Sequence, residues 1–272
     1  MTTENRASLR LFVPCFLSFV VAMAQSTECL DVFILGGQSN MAGRGGVDVL
    51  ENGTRAWNQV VPMSANVSDG SILRLTAQLN WEPAKEPLHR DIDAGKVCGV
   101  GPGLVFGAKV LNHLRETGHA NPTIGLVPCA IGGTSIRDWE KGGPLYNTML
   151  HRANFARRGG GTLRALLWYQ GESDADSKED ADSYKWRLEK FFSDFRSDLN
   201  DDSLPIMQVK ICGTWPFVEE VRAAQATVKV PGVCTVDSWG FDLNPDHMHL
   251  TTESQEKLGL IMAQKYLSHC HA

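Results

Sequence analysis

Five apolar runs, each stopping at a glycine-rich or polar turn, most limit how this chain can fold. They occupy residues 32–35, 123–131, 163–169, 204–211 and 232–237. Each is a continuous run and not an alternation, so each strand should be buried on both faces, as in a parallel sheet. Helical periods lie between them. Leu104, Ala108, Leu111 and Leu114 form one such stripe, and residues 145–158 and 219–229 read as two further helices. Tyr184, Leu188, Phe191, Phe192, Phe195 and Leu199 form the clearest stripe, assigned wholly to core. Leu258, Ile261, Met262 and Tyr266 form the last, opened by Thr252-x-x-Gln255, which reads as a capping box. Alternation of this kind predicts an α/β fold, a three-layer α/β/α sandwich around a five-stranded parallel sheet.

Residues 44–100 interrupt the alternation. They lack sustained periodicity and are rich in Asn, Gly, Pro, Asp and Ser. A loop-rich excursion of that length is expected to serve a function, such as walls above a site. With 272 residues, 43% of them hydrophobic, the chain can bury one sizeable core. Residues 25–272 are therefore read as a single domain.

Residues 1–24 are read as a secretory signal peptide. Arg6 and Arg10 precede an apolar stretch too short to span a membrane comfortably, and Ala22-Met23-Ala24 is an A-x-A cleavage pattern. Its removal takes the formal charge from −5 to −6. No basic stripe recommends a nucleic-acid partner, and stable membrane insertion after cleavage is not expected. The expected location is extracellular. Asn52-Gly-Thr54 and Asn66-Val-Ser68 are glycosylation sequons consistent with that route. Six cysteines remain after cleavage, and none of their spacings resembles a zinc site, so no metal is expected. Cys29 precedes the first strand and Cys270 ends a helix that returns to the same edge, so these two are the expected disulfide pair. Cys129, Cys212 and Cys234 lie in strands and should be buried.

Open α/β sheets place ligands at the carboxyl ends of their strands. The first run reads Asp31-Val-Phe-Ile-Leu-Gly-Gly-Gln-Ser39-Asn40-Met41-Ala42-Gly43 and puts a serine at that edge. A nucleophilic serine needs a base oriented by a carboxylate, and donors for an oxyanion. His249 lies on a loop at the same edge, with Asp246 three residues before it. Gly132 and Gly133 follow the second run and can aim backbone N–H groups at a reacting carbonyl. Gln170-Gly171-Glu172-Ser173-Asp174 follows the third and adds polar side chains. Gly171-Glu-Ser173-Asp-Ala175 also approximates a G-x-S-x-G elbow, but no helix starts directly after it, which favours Ser39 as the nucleophile.

Gly37-Gln-Ser39-Asn-Met41, Gly132-Gly-Thr-Ser135, Trp168-Tyr-Gln-Gly-Glu-Ser-Asp174 and Asp246-x-x-His249 together resemble the SGNH hydrolase superfamily. More narrowly, the chain is similar to its sialate O-acetylesterase-like branch, carbohydrate esterase family six, and to plant probable carbohydrate esterases. The resemblance runs from about Asp31 to the C-terminus and implies a flavodoxin-like sheet and cofactor-free serine esterase chemistry. It implies Ser39 as nucleophile, His249 as base and Asp246 as its orienting acid. The oxyanion hole would use the Ser39 amide, a glycine amide from Gly132 or Gly133, and a third donor, Gln170 or Ser173. The superfamily's first block usually has Asp where this chain has Gln38. Its third block usually has Asn where this chain has Ser173. Asn40, Glu172 and Trp139 are candidate substrate contacts, with Trp57 and Trp81 as further stacking candidates.

The implied activity is removal of O-acetyl groups from carbohydrate such as acetylxylan, in the cell wall or apoplast if the source is a plant. A weakly catalytic polysaccharide-binding protein and a lipid esterase are the alternatives. The oligomeric state is not legible.

Overall fold

The first apolar run lies in the middle of the sheet that the other runs build. The structure, a computed structural model, describes residues 30–269. The leader at 1–24 and both members of the Cys29–Cys270 pair lie outside the described residues. In chain order the elements are β1 (Leu30–Gly37), α1 (Ser39–Ala42), β2 (Val47–Val49), β3 (Arg55–Trp57), β4 (Ile72–Leu75), β5 (Trp81–Pro83) and α2 (Pro102–Glu116). There follow β6 (Thr123–Pro128), α3 (Pro144–Arg158), β7 (Gly161–Tyr169), α4 (Lys178–Leu199), β8 (Ile206–Lys210), α5 (Val218–Ala226), β9 (Val233–Asp237) and α6 (Thr252–His269).

The main sheet has seven strands in the order β5-β4-β6-β1-β7-β8-β9, and all pairs are parallel except β4 with β5. Two more strands are present than the five expected, and both come from the 44–100 excursion. Their sequences hid them. Arg74 sits in the middle of β4, so no continuous apolar run forms. It is nonetheless 1% exposed, because Glu82, Asp91 and the Leu88 carbonyl take its guanidinium. β5 is a three-residue edge strand ending in proline, which edges tolerate.

Helices cover both faces. α2 and α6 pack together on one, and α3, α4 and α5 lie on the other. Phe33 of β1 meets Phe106 of α2 and Tyr266 of α6 edge-on, with ring centroids 5.0 and 5.2 Å away. On the opposite face Trp168 of β7 packs on Phe191 and Phe192 of α4, the stripe read as core. Cys129 and Cys212 are buried as expected, whereas Cys234 is only half-buried because β9 is the sheet edge. Asn52 and Asn66 are both exposed.

Two local features place the loops at the carboxyl edge. At the start of α6, Thr251 and not Thr252 is the cap, since its hydroxyl accepts from the Ser254 N–H. The expected Thr252–Gln255 capping box therefore does not form. This frees Gln255, whose amide donates instead to the Asn40 carbonyl at 3.1 Å. Arg152 of α3 is 3% exposed and donates to the carbonyls of Pro128, Thr76 and Leu75 at 3.0, 2.8 and 2.8 Å. It ties the ends of β4 and β6 to the helix layer. Arg152→Met is expected to lower the free energy of unfolding by about 3 kcal/mol, because three buried carbonyls lose a charged donor. Urea denaturation monitored by circular dichroism would measure this.

Candidate active site

At the end of β1 the chain reverses within two residues. Gly37 has φ +124°, and the Gln38 N–H donates to the Tyr169 carbonyl at 2.8 Å, holding the turn against β7. Ser39 is the first residue of the one-turn helix α1 and is 7% exposed. Its hydroxyl lies 2.9 Å from His249 Nε2. His249 Nδ1 lies 2.7 Å from Asp246 Oδ2. Asp246 Oδ1 also accepts from the N–H groups of Met248 and His249, at 3.1 and 3.0 Å. That turn is closed by Asn244 N–H on the His249 carbonyl at 2.7 Å, with His247 in the left-handed region at φ 57°. The sharp reversal at His247 leaves its ring exposed and brings His249 inward. With Nδ1–H given to Asp246, Nε2 is left to accept the Ser39 hydroxyl proton.

The electrostatics fit a neutral imidazole. Burial lowers the His249 pKa below its ordinary value, Asp246 opposes this, and the charges of Arg44 and Arg55 add to the lowering. Burial alone would raise Asp246, but hydrogen bonds from His249 and the two amides outweigh it and hold the carboxyl below its usual range. A base must be deprotonated to act, so a lowered pKa keeps it competent into mildly acidic solution. The acidic limb of the kcat/KM profile is expected to have its midpoint below the ordinary histidine value of 6.5. A pH-rate series on a small acetyl ester would measure it.

Ser39 and His249 open onto a cleft of about 540 Å³. Its buried lining is Gln38, Ser39, Arg44 and Glu172; its more exposed lining includes Arg55, Lys96, Val97, Gly133, Ser173, Asp176, Trp215 and Met248. Glu172 is 2% exposed. Its Oε1 accepts from Asn40, its Oε2 has no hydrogen-bond partner, and burial pushes its pKa up to about 7. Gln38, whose place in the opening turn had no evident purpose, links two loops. Its Oε1 accepts from the Ser173 N–H and from Gln170 Nε2, both at 3.4 Å.

Six candidate residues are placed away from the role expected of them. Trp139 is fully buried against Trp168, and its indole N–H donates to Thr134 Oγ1 at 3.1 Å, so it cannot stack on a substrate. Asn40 is also fully buried. Its side chain donates to Glu172 and to the Met248 carbonyl and accepts from the Leu250 N–H, which ties two site loops together and leaves nothing for a ligand. Gln170 is turned inward, donating to the Thr134 carbonyl and to Asp174, and is no oxyanion donor. The Gly132 N–H is taken by Asp93 Oδ2 at 3.2 Å. Gly133, which lines the cleft, is the glycine of the pair whose N–H has no acceptor among the described residues. Trp57 and Trp81 are half-buried and do not line the cleft.

The sequence reading missed Arg44, Arg55, Lys96, Asp176, Met248 and Trp215. Trp215 was accessible to it, because Trp215 follows the fourth run at the same edge. Arg55 and Lys96 were not, since the excursion that carries them has no pattern that fixes its path.

Comparisons with known proteins identify the family. Residues 29–268 match the family model described as carbohydrate esterase, sialic acid-specific acetylesterase. The chain belongs to this family. A probable carbohydrate esterase from Arabidopsis thaliana is 50% identical over 238 residues, which cover 87% of this chain and 90% of that protein. An X-ray structure of an Arabidopsis thaliana protein superposes with a TM-score of 0.84 at 49% identity, covering 88% of this chain and 98% of the other. NanS, 15% identical, superposes with a TM-score of 0.63 over 89% of this chain and 98% of its own. A carbohydrate acetylesterase from Xanthomonas citri, 21% identical, gives 0.62 over 89% of this chain and 56% of its own. These last two share the fold. This carbohydrate esterase therefore has the expected α/β architecture, with a wider sheet than its apolar runs alone announce. No helix among the described residues is long and apolar enough to cross a membrane.

Proposed function

We propose that this chain is a secreted serine esterase that removes O-acetyl groups from carbohydrate, with a cell-wall polysaccharide such as acetylxylan as substrate. The observation that carries the reading is the unbroken chain from Ser39 Oγ through His249 to Asp246 at the floor of a cleft, in a carbohydrate esterase family member. The leader-like N-terminus supports secretion, and the two exposed sequons support glycosylation at Asn52 and Asn66.

In the proposed cycle His249 Nε2 takes the Ser39 proton as Oγ attacks the acetyl carbonyl. Asp246 holds the imidazole and stabilises its charged form. The oxyanion is met by the N–H groups of Ser39 and Gly133, neither of which has an acceptor among the described residues. The Ser173 hydroxyl, also on the cleft, is the remaining candidate third donor. His249 then protonates the leaving sugar oxygen, and a water molecule repeats the sequence to release acetate. Trp215 supplies an apolar wall of the cleft, and the buried Glu172 carboxyl is held by Asn40.

Acetate release from acetylated xylan, acetylated pectin and a small acetyl ester tests the reading. Release by the wild type and none by Ser39→Ala is expected. Glycan binding with no acetate from any of the three would make the chain a binding protein on this scaffold. Activity confined to long-chain acyl esters would make it a lipid esterase.

A further inference from the structure

We propose that Lys96 is a positioning residue for the oxyanion site: it holds the Gly132 carbonyl so that the Gly132–Gly133 peptide presents the Gly133 N–H to the reacting carbonyl. This rests on the esterase reading of Ser39. Lys96 Nζ donates to Gly132 O at 2.9 Å. On the other side of the same residue, the Gly132 N–H is held by Asp93, whose carboxylate is bound by the buried Arg44 guanidinium. The turn that carries both side chains is itself pinned. Asp93 N–H donates to the His89 carbonyl at 2.9 Å and Lys96 N–H to the Asp93 carbonyl at 3.0 Å. Asp93 and Lys96, three residues apart, thus grip both polar groups of Gly132.

The consequence follows from peptide geometry. In a planar trans peptide the N–H points opposite to the C=O. Fixing the Gly132 carbonyl on Lys96 therefore fixes the direction of the Gly133 N–H. This peptide lies directly against the nucleophile, since a Cβ on Gly132 would stand 3.3 Å from Ser39 Cβ. Two successive glycines, the second at φ +74°, give the peptide little intrinsic preference between this orientation and its flipped counterpart. A flipped peptide would aim a carbonyl oxygen at the developing oxyanion. Lys96 is exposed, and the Gly132 carbonyl is the acceptor its ammonium has among the described residues. A cation on the carbonyl end also polarises the amide and strengthens its N–H as a donor.

Lys96→Met and Lys96→Arg would be compared with wild type on a neutral small acetyl ester, which offers Lys96 no anion to bind. Lys96→Met is expected to lower kcat by about 10- to 100-fold, less than the ~10²–10³ lost when a donor is removed outright. KM should stay within about twofold, and Lys96→Arg should restore most of kcat. A loss carried by KM, or one seen only with acidic polysaccharides, would assign Lys96 to substrate binding and overturn the proposal. A crystal structure of Lys96→Met gives a readout independent of turnover. The Gly132–Gly133 peptide is expected turned or in two orientations; a single orientation identical to the wild type would also overturn it. If that peptide turns while neither wild type nor Ser39→Ala releases acetate, the esterase reading fails and the positioning of this peptide stands.

Discussion

His249→Ala is expected to lower kcat on any acetyl ester by about 10⁴–10⁶-fold, with the melting temperature little changed. The magnitude follows from the unit it belongs to. Removing either the nucleophile or its base from a serine–histidine pair costs nearly as much as removing both, because neither works alone. The double variant Ser39→Ala/His249→Ala should therefore be no worse than either single one. Asp246→Asn keeps the shape of the turn but offers Nδ1–H a poorer acceptor and no charge, and should cost up to ~10⁴-fold. His247→Ala should be nearly silent, since that ring is exposed and its backbone, not its side chain, makes the reversal. A large loss in His247→Ala with activity retained in His249→Ala would place the base on the wrong residue. Steady-state kinetics on one small ester, with thermal melts on the same preparations, decides between these outcomes.

Gly37→Ala is expected to prevent stable folding. A Cβ at Gly37 would stand 2.1 Å from the Tyr169 carbonyl oxygen and 2.6 Å from the carbonyl carbon. Both are backbone atoms of β7, so no rotamer change relieves the clash. The φ of +124° adds strain for any residue with a side chain. The central pair β1–β7 would have to separate, at a cost above ~4 kcal/mol, a large share of a typical domain's stability. Gly53 supplies the control. It too has a positive φ, +78°, but nothing lies within 4 Å of its would-be Cβ, so Gly53→Ala should cost only about 1 kcal/mol. Soluble yield and urea denaturation of the two variants would be compared. A Gly37→Ala protein as stable as Gly53→Ala would mean that β1 and β7 do not approach so closely.

The sheet was legible wherever a strand is buried on both faces, because burial on both faces leaves a continuous apolar run. It was illegible at β4, where Arg74 is buried through ionic partners, and at β5, which is short and on the edge. The positions of Ser39, Asp246 and His249 were legible because strand ends of a parallel sheet share one edge. Which side chain of a turn faces the cleft was not. Asn40, Trp139 and Gln170 sit in the same turns as cleft residues yet point into the protein, satisfying one another's loops. Gln38 was unexplained by sequence because its role is a contact with residues 132 and 135 positions away. The grip of Asp93 and Lys96 on Gly132 was hidden for the same reason, as the excursion returns to the site by a path that no periodicity marks.

The proposed cycle passes through an acyl-enzyme on Ser39, and trapping it is the most direct test. Wild-type protein would be mixed with an activated acetyl ester, quenched in acid within the first turnovers, digested and read by peptide mass spectrometry. One acetyl group is expected on the peptide carrying Ser39, and none in Ser39→Ala. Acetylation of the peptide carrying Ser173, or turnover with no acetylated serine at all, would contradict it.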